Sequence, residues 1–160
     1  MAKQLKEVYL ILHNVRSVYN VGSIFRTADC AGISKIFLTG YTAAPKDRFG
    51  NYRKDLAKVA LGAEKNILWK SQESISDLIK KLKQENFYIV SVEQSKNSKN
   101  YKKFKAKNKT AVIFGNEIKG LSSSVLKTSD IVLEIPMKGK KESLNVSVSA
   151  AIVLFRILDI

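Results

Sequence analysis

The stretch Ile135–Ala151, IPMKGKKESLNVSVSAA, decides how this chain is read. Pro136 has no N–H to give to a sheet and fixes its own φ, so the apolar run Ile131–Ile135 before it reads as a strand that stops there. Downstream, Asn145 offers a side-chain oxygen to the orphan N–H groups of a starting helix. Ser143 and Asn145 bracket Leu144 beside Lys138, Lys140 and Lys141. Small hydrogen-bonding groups at a helix start also suit an anionic or polar ligand, so Asn145 stands either as a plain cap or as part of a site. The helix it opens, Asn145–Leu158, is apolar on nearly every side and must be buried. In a domain this small part of it is expected to pack against a second copy, which predicts a homodimer through the C-terminal helix.

Working upstream, Thr110–Phe114 (TAVIF) is a strand that runs into GNEIKGLSSSV. Gly115 and Gly120 allow a tight turn or a close approach to a ligand, and Ser122–Ser124 can start a helix ending near Lys127. Glu117 falls at the strand's C-terminal end, either as a site carboxylate or as a loop charge balancing Lys119. Near the start, Val8–Leu12 is a compact apolar run that reads as a buried strand. In the following NVRSVYNVGSIFRTADCAG, Val21, Ile24, Phe25 and Ala28 keep helical spacing, with Asn20 as the expected N-cap and Gly32 as the stop. Arg26 and Asp29 are placed to pair on the helix surface. Alternatively Asn20, Gly22 and Arg26 occupy the opening turns after a buried strand, where open α/β sheets hold ligands. Cys30, among apolar neighbours, reads as a core thiol, and His13 at a strand end reads as structural.

Between these segments lie strands at Lys35–Thr39, Ile67–Trp69 and Phe87–Val92 and an amphipathic helix at Ser74–Gln84. Alternating strands and helices predict an α/β fold with a mostly parallel sheet and helices on both faces. Two basic regions stand apart. Residues 41–62 mix Lys46, Arg48, Arg53, Lys54 and Lys58 with Phe49 and Tyr52, a pattern shared by base-stacking surfaces and by solvated loops. Residues 94–110 carry seven lysines from Lys96 to Lys109 with no acid, a patch that attracts phosphates without reading sequence.

Composition narrows the partners. With 28 Lys and Arg against 14 Asp and Glu, the 160 residues carry a net charge of +14, which points to a polyanion. The length predicts a single domain over 1–160. One cysteine rules out an internal disulfide and fits a reducing, cytoplasmic setting. The opening MAKQLKEVYLILHN is too briefly apolar for a signal peptide, and the C-terminal helix is too short to cross a membrane, so a soluble protein is expected. There is no G-x-G-x-x-G after the first strand and no G-x-x-x-x-G-K-S/T loop. With one histidine and one cysteine no metal cluster is expected.

Three motifs line up in order: NVGSIFRTAD at 20–29, FGNEIKGLS at 114–122 and IPMKGKKESLNVSVSAA at 135–151. Together they closely resemble the signature of the SpoU (TrmH-like) group of SPOUT RNA ribose 2'-O-methyltransferases. The resemblance spans the whole chain. It implies a C-terminal segment threaded into a trefoil knot, S-adenosylmethionine as cofactor, and a site completed at a dimer interface. By position it implies catalytic roles for Asn20, Arg26, Glu117, Ser143 and Asn145, and cofactor-binding backbone at Gly115, Ile135 and Leu144. Arg26 would clamp the substrate phosphate and stabilise a developing alkoxide, proton removal staying open between a phosphate oxygen and Arg26. Many relatives carry an RNA-binding extension; a single domain without one is expected here, so the chain looks more like the short members that act on tRNA. Ribosomal RNA as substrate, methylation of a base nitrogen, and a non-catalytic RNA-gripping relative are the rival readings.

Overall fold

The computed structural model describes residues 6–160. Residues 1–5, part of the opening stretch read against a signal peptide, lie outside the described residues. The elements run β1 (Glu7–His13), α1 (Val18–Cys30), β2 (Lys35–Thr39), α2 (Lys54–Ala60), α3 (Ala63–Asn66), β3 (Trp69–Gln72) and α4 (Ile75–Gln84). They continue with β4 (Tyr88–Val92), β5 (Lys99–Asn100), a 3-10 turn at Tyr101–Lys103, β6 (Lys109–Phe114), α5 (Ser123–Thr128), β7 (Ile131–Glu134) and α6 (Val146–Leu158). All seven strands join one parallel sheet in the order β3-β2-β1-β6-β4-β7-β5.

Both faces of that sheet are covered, which is why its central strands carry unbroken apolar runs at Val8–Leu12 and Ala111–Phe114. Alternate residues serve alternate faces. Leu10, Leu12, Val112 and Phe114 join a core with Ile24 and Phe25 of α1 and Leu154 and Ile157 of α6. Ile11, Ala111, Ile113 and Ile89 face the other way, against Leu78 and Leu82 of α4 and Val125 of α5. The α/β expectation, with a parallel sheet between helical layers, is met.

Local chemistry explains the element ends and corrects several expectations. The N-cap of α1 is Ser17, whose hydroxyl accepts from Asn20 N, so Asn20 sits inside the first turn with its side chain free for other work. At α6 the cap is Asn145, as its type suggests, with Oδ1 accepting from Ser147 N at 2.8 Å and Val148 N at 3.4 Å. Residues 41–62, read as one basic loop, contain α2 and end at Gly62, which caps α3. The third strand starts at Trp69 rather than Ile67. Cys30 is exposed at the end of α1, not a core thiol, because the helix turns its Ala28 face inward and leaves Asp29 and Cys30 outside. Among the described residues Arg26 forms no ion pair with Asp29, which instead accepts weakly from Asn66 Nδ2 at 3.4 Å. His13 is fixed by two contacts, Nδ1 with Thr39 Oγ1 at 2.9 Å and Nε2 with Asn14 Nδ2 at 3.2 Å. Burial pushes its pKa below the usual imidazole value, so it is a neutral structural histidine.

Helix α6 buries Val146, Ala150, Val153, Leu154 and Ile157 within the chain but leaves Val148 46 % and Phe155 36 % exposed. Among the described residues no helix is long and apolar enough to cross a membrane.

Candidate active site

Parallel α/β sheets present their ligand sites at the C-terminal ends of the strands. Here the segments leaving β4, β6 and β7 enclose a cleft of about 380 Å³, within the ~300–1,000 Å³ typical of small-molecule sites. Gly115, Ile135 and Leu144 all line it, joined by Met137, Ser143 and Val146.

The wall after β6 is a short loop shaped by its own side chains. Asn116 Oδ1 accepts from Ile118 N at 2.9 Å and Lys119 N at 2.8 Å, while Gly120 N returns to Asn116 O at 3.0 Å. Gly120 has φ +64°, and a Cβ there would run into the Glu93 carboxylate. Glu93 in turn accepts from Leu121 N at 3.0 Å and so ties the end of β4 to this loop. Gly115 is required by packing: a Cβ would come within 2.7 Å of Leu121 Cδ2 and 2.9 Å of the Gly120 carbonyl carbon. The close approach that glycine permits here is therefore that of the protein's own turn. On the opposite wall, Gln94 Nε2 donates to Glu142 O at 2.7 Å and anchors the loop after β7.

Polar residues from all three motifs meet beside this cleft. Asn145 Nδ2 donates to Asn20 Oδ1 at 3.1 Å, and Asn20 Nδ2 donates to Glu117 Oε1 at 3.1 Å. Glu117 also accepts from Arg16 N and Ser17 N, each at 3.0 Å. Its carboxylate thus fastens the loop after β6 to the start of α1, rather than balancing Lys119. Partial burial pushes the Glu117 pKa up, but the donors at Ser17, Arg16 and Asn20 together outweigh it and hold the carboxyl below its usual range. The side chain is an anion at neutral pH.

The structure brings Asn20, Glu117 and Asn145 together and sets Ser143 in the adjoining lining. It does not bring Arg26 there. Arg26 is exposed on α1, about 9 Å of helix rise and about 120° of rotation beyond Asn20, and does not line the cleft. Sequence reasoning missed Glu93 and Asn116. The spacing of Asn116 before Gly120 carried a turn signal, whereas nothing local marks Glu93.

Electrostatics sets this cleft apart from the rest of the molecule. Glu93, Glu117, Glu134 and Glu142 all contribute to its lining, with Lys119 the one cation among the described lining residues. An acid-lined hollow in a chain of net charge +14 favours a cationic small molecule over a bare phosphate. No group of residues that could hold a metal ion occurs among those described.

Residues 7–155 match the model of the SpoU rRNA Methylase family, and the chain belongs to that family. A putative TrmH family tRNA/rRNA methyltransferase of Staphylococcus saprophyticus is 31 % identical over 92 % of this chain and 57 % of its own length. The Staphylococcus aureus protein of the same description is 30 % identical over 97 % of this chain and 62 % of its length. The chain thus spans about three fifths of these curated relatives. Among solved structures, the AdoMet-bound rRNA methyltransferase from Sinorhizobium meliloti superposes with a TM-score of 0.86 at 26 % identity, over 98 % of this chain and 57 % of that one. The TrmH/SpoU tRNA modifying enzyme of A. aeolicus gives 0.82 at 26 % identity, over 97 % and 75 %.

Proposed function

We propose that this chain is an S-adenosylmethionine-dependent RNA methyltransferase that methylates a ribose 2'-hydroxyl, with tRNA as its substrate. The observation that carries the reading is the acid-lined cleft flanked by the hydrogen-bonded series Asn145–Asn20–Glu117, in a chain otherwise strongly basic. S-adenosylmethionine suits that cleft in size and sign, and when bound it supplies a methyl group on a cationic sulfur. Ile135, Met137 and Leu144 offer apolar walls for a purine, with main chain of the 115–120 and 135–144 loops nearby for its polar edge. The relative from Sinorhizobium meliloti, whose structure holds AdoMet, supports the assignment.

Around the reacting ribose, Asn20 and Asn145 orient the substrate, and Ser143 donates to the donor or to the sugar. Glu117 keeps the start of α1 in place. The guanidinium of Arg26 presents a planar fork of donors, so its role is to clamp a phosphate and stabilise negative charge on the attacking oxygen. Because Arg26 lies outside the cleft of its own chain, we infer that it serves the site of a second copy, in a homodimer formed through α6. The exposed Val148 and Phe155 support that interface. We also infer a trefoil-knotted C-terminus, since β7 inserts between the earlier strands β4 and β5 before α6 packs back on α1. The cytoplasm is the proposed location.

The test is to incubate purified protein and labelled donor with total tRNA and with rRNA, each from cells lacking the protein, then digest to nucleosides. A 2'-O-methylated nucleoside from the tRNA arm supports the proposal. A labelled product from rRNA alone moves the substrate, a base-methylated nucleoside overturns the ribose assignment, and no labelled product overturns the activity.

A further inference from the structure

Tyr41, in the turn after β2, is 61 % exposed yet held at both ends. Its backbone N donates to Asn14 Oδ1 at 3.2 Å, and its hydroxyl accepts from Asn116 Nδ2 at 2.9 Å. The two anchors are themselves joined, since Asn116 Nδ2 also donates to Asn14 O at 3.0 Å. Asn14 adopts φ +56° and lies so close to Gly40 that any Cβ on that glycine would collide with it. The anchoring is thus built into the fold, with Gly40 leaving the room that the Asn14 side chain occupies.

Two of the other exposed aromatic rings are engaged by cations. Tyr52 carries Lys46 at 4.9 Å and Lys65 at 5.3 Å, and Phe49 carries Arg48 at 4.8 Å. Among the described residues the Tyr41 ring neither stacks on another ring nor carries a cation, and Tyr19, equally open, has no tethered hydroxyl. Leaving a large ring in water while fixing its position favours neither burial nor solubility. It does suit a flat partner, because the ordering cost of the side chain is already met before binding.

Position supplies the partner. Asn116, which holds the Tyr41 hydroxyl, lines the cleft and sets the loop that carries the 85 % exposed Ile118 and the cationic Lys119. We propose that Tyr41 is a stacking platform for a nucleobase of the bound RNA, placed at the cleft's rim and coupled through Asn116 to the cleft wall. This rests on the reading that the chain acts on RNA and adds how it holds that RNA beside the site. Stacking is tolerant of base identity, so a homopolymer reports it.

Fluorescence anisotropy at low salt would compare two labelled strands of equal length and charge, an oligouridylate and a strand of abasic spacers. Wild type binds the uridylate more tightly. Tyr41→Ala weakens uridylate binding by about 5- to 150-fold, the range of alanine replacements at stacking positions, and leaves the abasic strand unchanged. Tyr41→Phe, which keeps the ring, stays within about threefold of wild type. Calorimetric binding of S-adenosylmethionine to Tyr41→Ala matches wild type. Equal uridylate binding by Tyr41→Ala and wild type overturns the proposal, as does equal weakening on both strands or the absence of any preference for bases in the wild type. Methyl transfer is not read here, so an inactive chain would defeat the enzymatic reading while leaving this result standing.

Discussion

Replacing Glu117 by Gln tests the junction on which the site is built. The carboxylate accepts three hydrogen bonds, from Arg16 N at 3.0 Å, Ser17 N at 3.0 Å and Asn20 Nδ2 at 3.1 Å. Bonds to a charged acceptor contribute about 1.5–3 kcal/mol each in favourable settings. The sum does not apply here, because Arg16 is exposed and its N–H regains water when the acceptor is lost. The amide of Gln also keeps one acceptor. A net loss of about 2 kcal/mol follows, which for a domain of this size lowers Tm by roughly 4–8 °C. The sign of the pH dependence is fixed by the lowered pKa of Glu117. A depressed carboxyl contributes stability above its ordinary value of 4.5 and loses that contribution as pH falls through the lowered folded value. The gap between wild type and Glu117→Gln should therefore be full at neutral pH and narrow on acidification below the ordinary carboxylate range. Urea unfolding across that span measures it. A gap that stays constant with pH, or an unchanged Tm at neutral pH, would refute the reasoning.

Three further outcomes are expected. Gly120→Ala forces a Cβ into the Glu93 carboxylate at a left-handed φ, so it should destabilise by about 1–3 kcal/mol and weaken donor binding in calorimetry. Arg26→Ala should keep donor affinity, because Arg26 lies outside the cleft, and lose methyl transfer; mixing it with a partner inactive through Asn145→Ala should restore part of the activity if the arginine acts across a dimer. His13 is the chain's single histidine, and its lowered pKa means the unfolded chain binds more protons as pH drops below the ordinary value of 6.5. Wild-type stability should fall across that window, and His13→Gln should flatten the slope in thermal melts.

Much of the fold was legible because burial on both faces of the sheet leaves a plain mark. Val8–Leu12 and Ala111–Phe114 are unbroken apolar runs, and α4 shows its stripe of Ile75, Leu78, Ile79 and Leu82. The cap at Asn145 was readable because its type suits an N-cap and the apolar helix starts directly after it. At α1 two capping types, Ser17 and Asn20, stood three residues apart; Ser17 is the cap, and the Asn20 side chain donates instead to Glu117, 97 residues away. Local sequence holds no trace of such a partner. Helices α2 and α3 were obscured by basic side chains, since Leu56 and Ala60 are the buried residues α2 offers. Cys30 misled because apolar neighbours in sequence lie on a different side of the helix. The motifs pointed to residues that meet in space, yet spacing could not reveal that the Asn20–Asn145 contact spans 125 positions or that Arg26 stays outside it.

The central claim is that the loops after β6 and β7 hold a sulfonium methyl donor between them. Soaking crystals of the protein with S-adenosylmethionine tests it most directly. The account predicts density for the donor against the backbones of Gly115, Ile135 and Leu144, with its cationic end toward the cleft's carboxylates. Donor bound elsewhere, or a cleft left empty at saturating concentration, would contradict it.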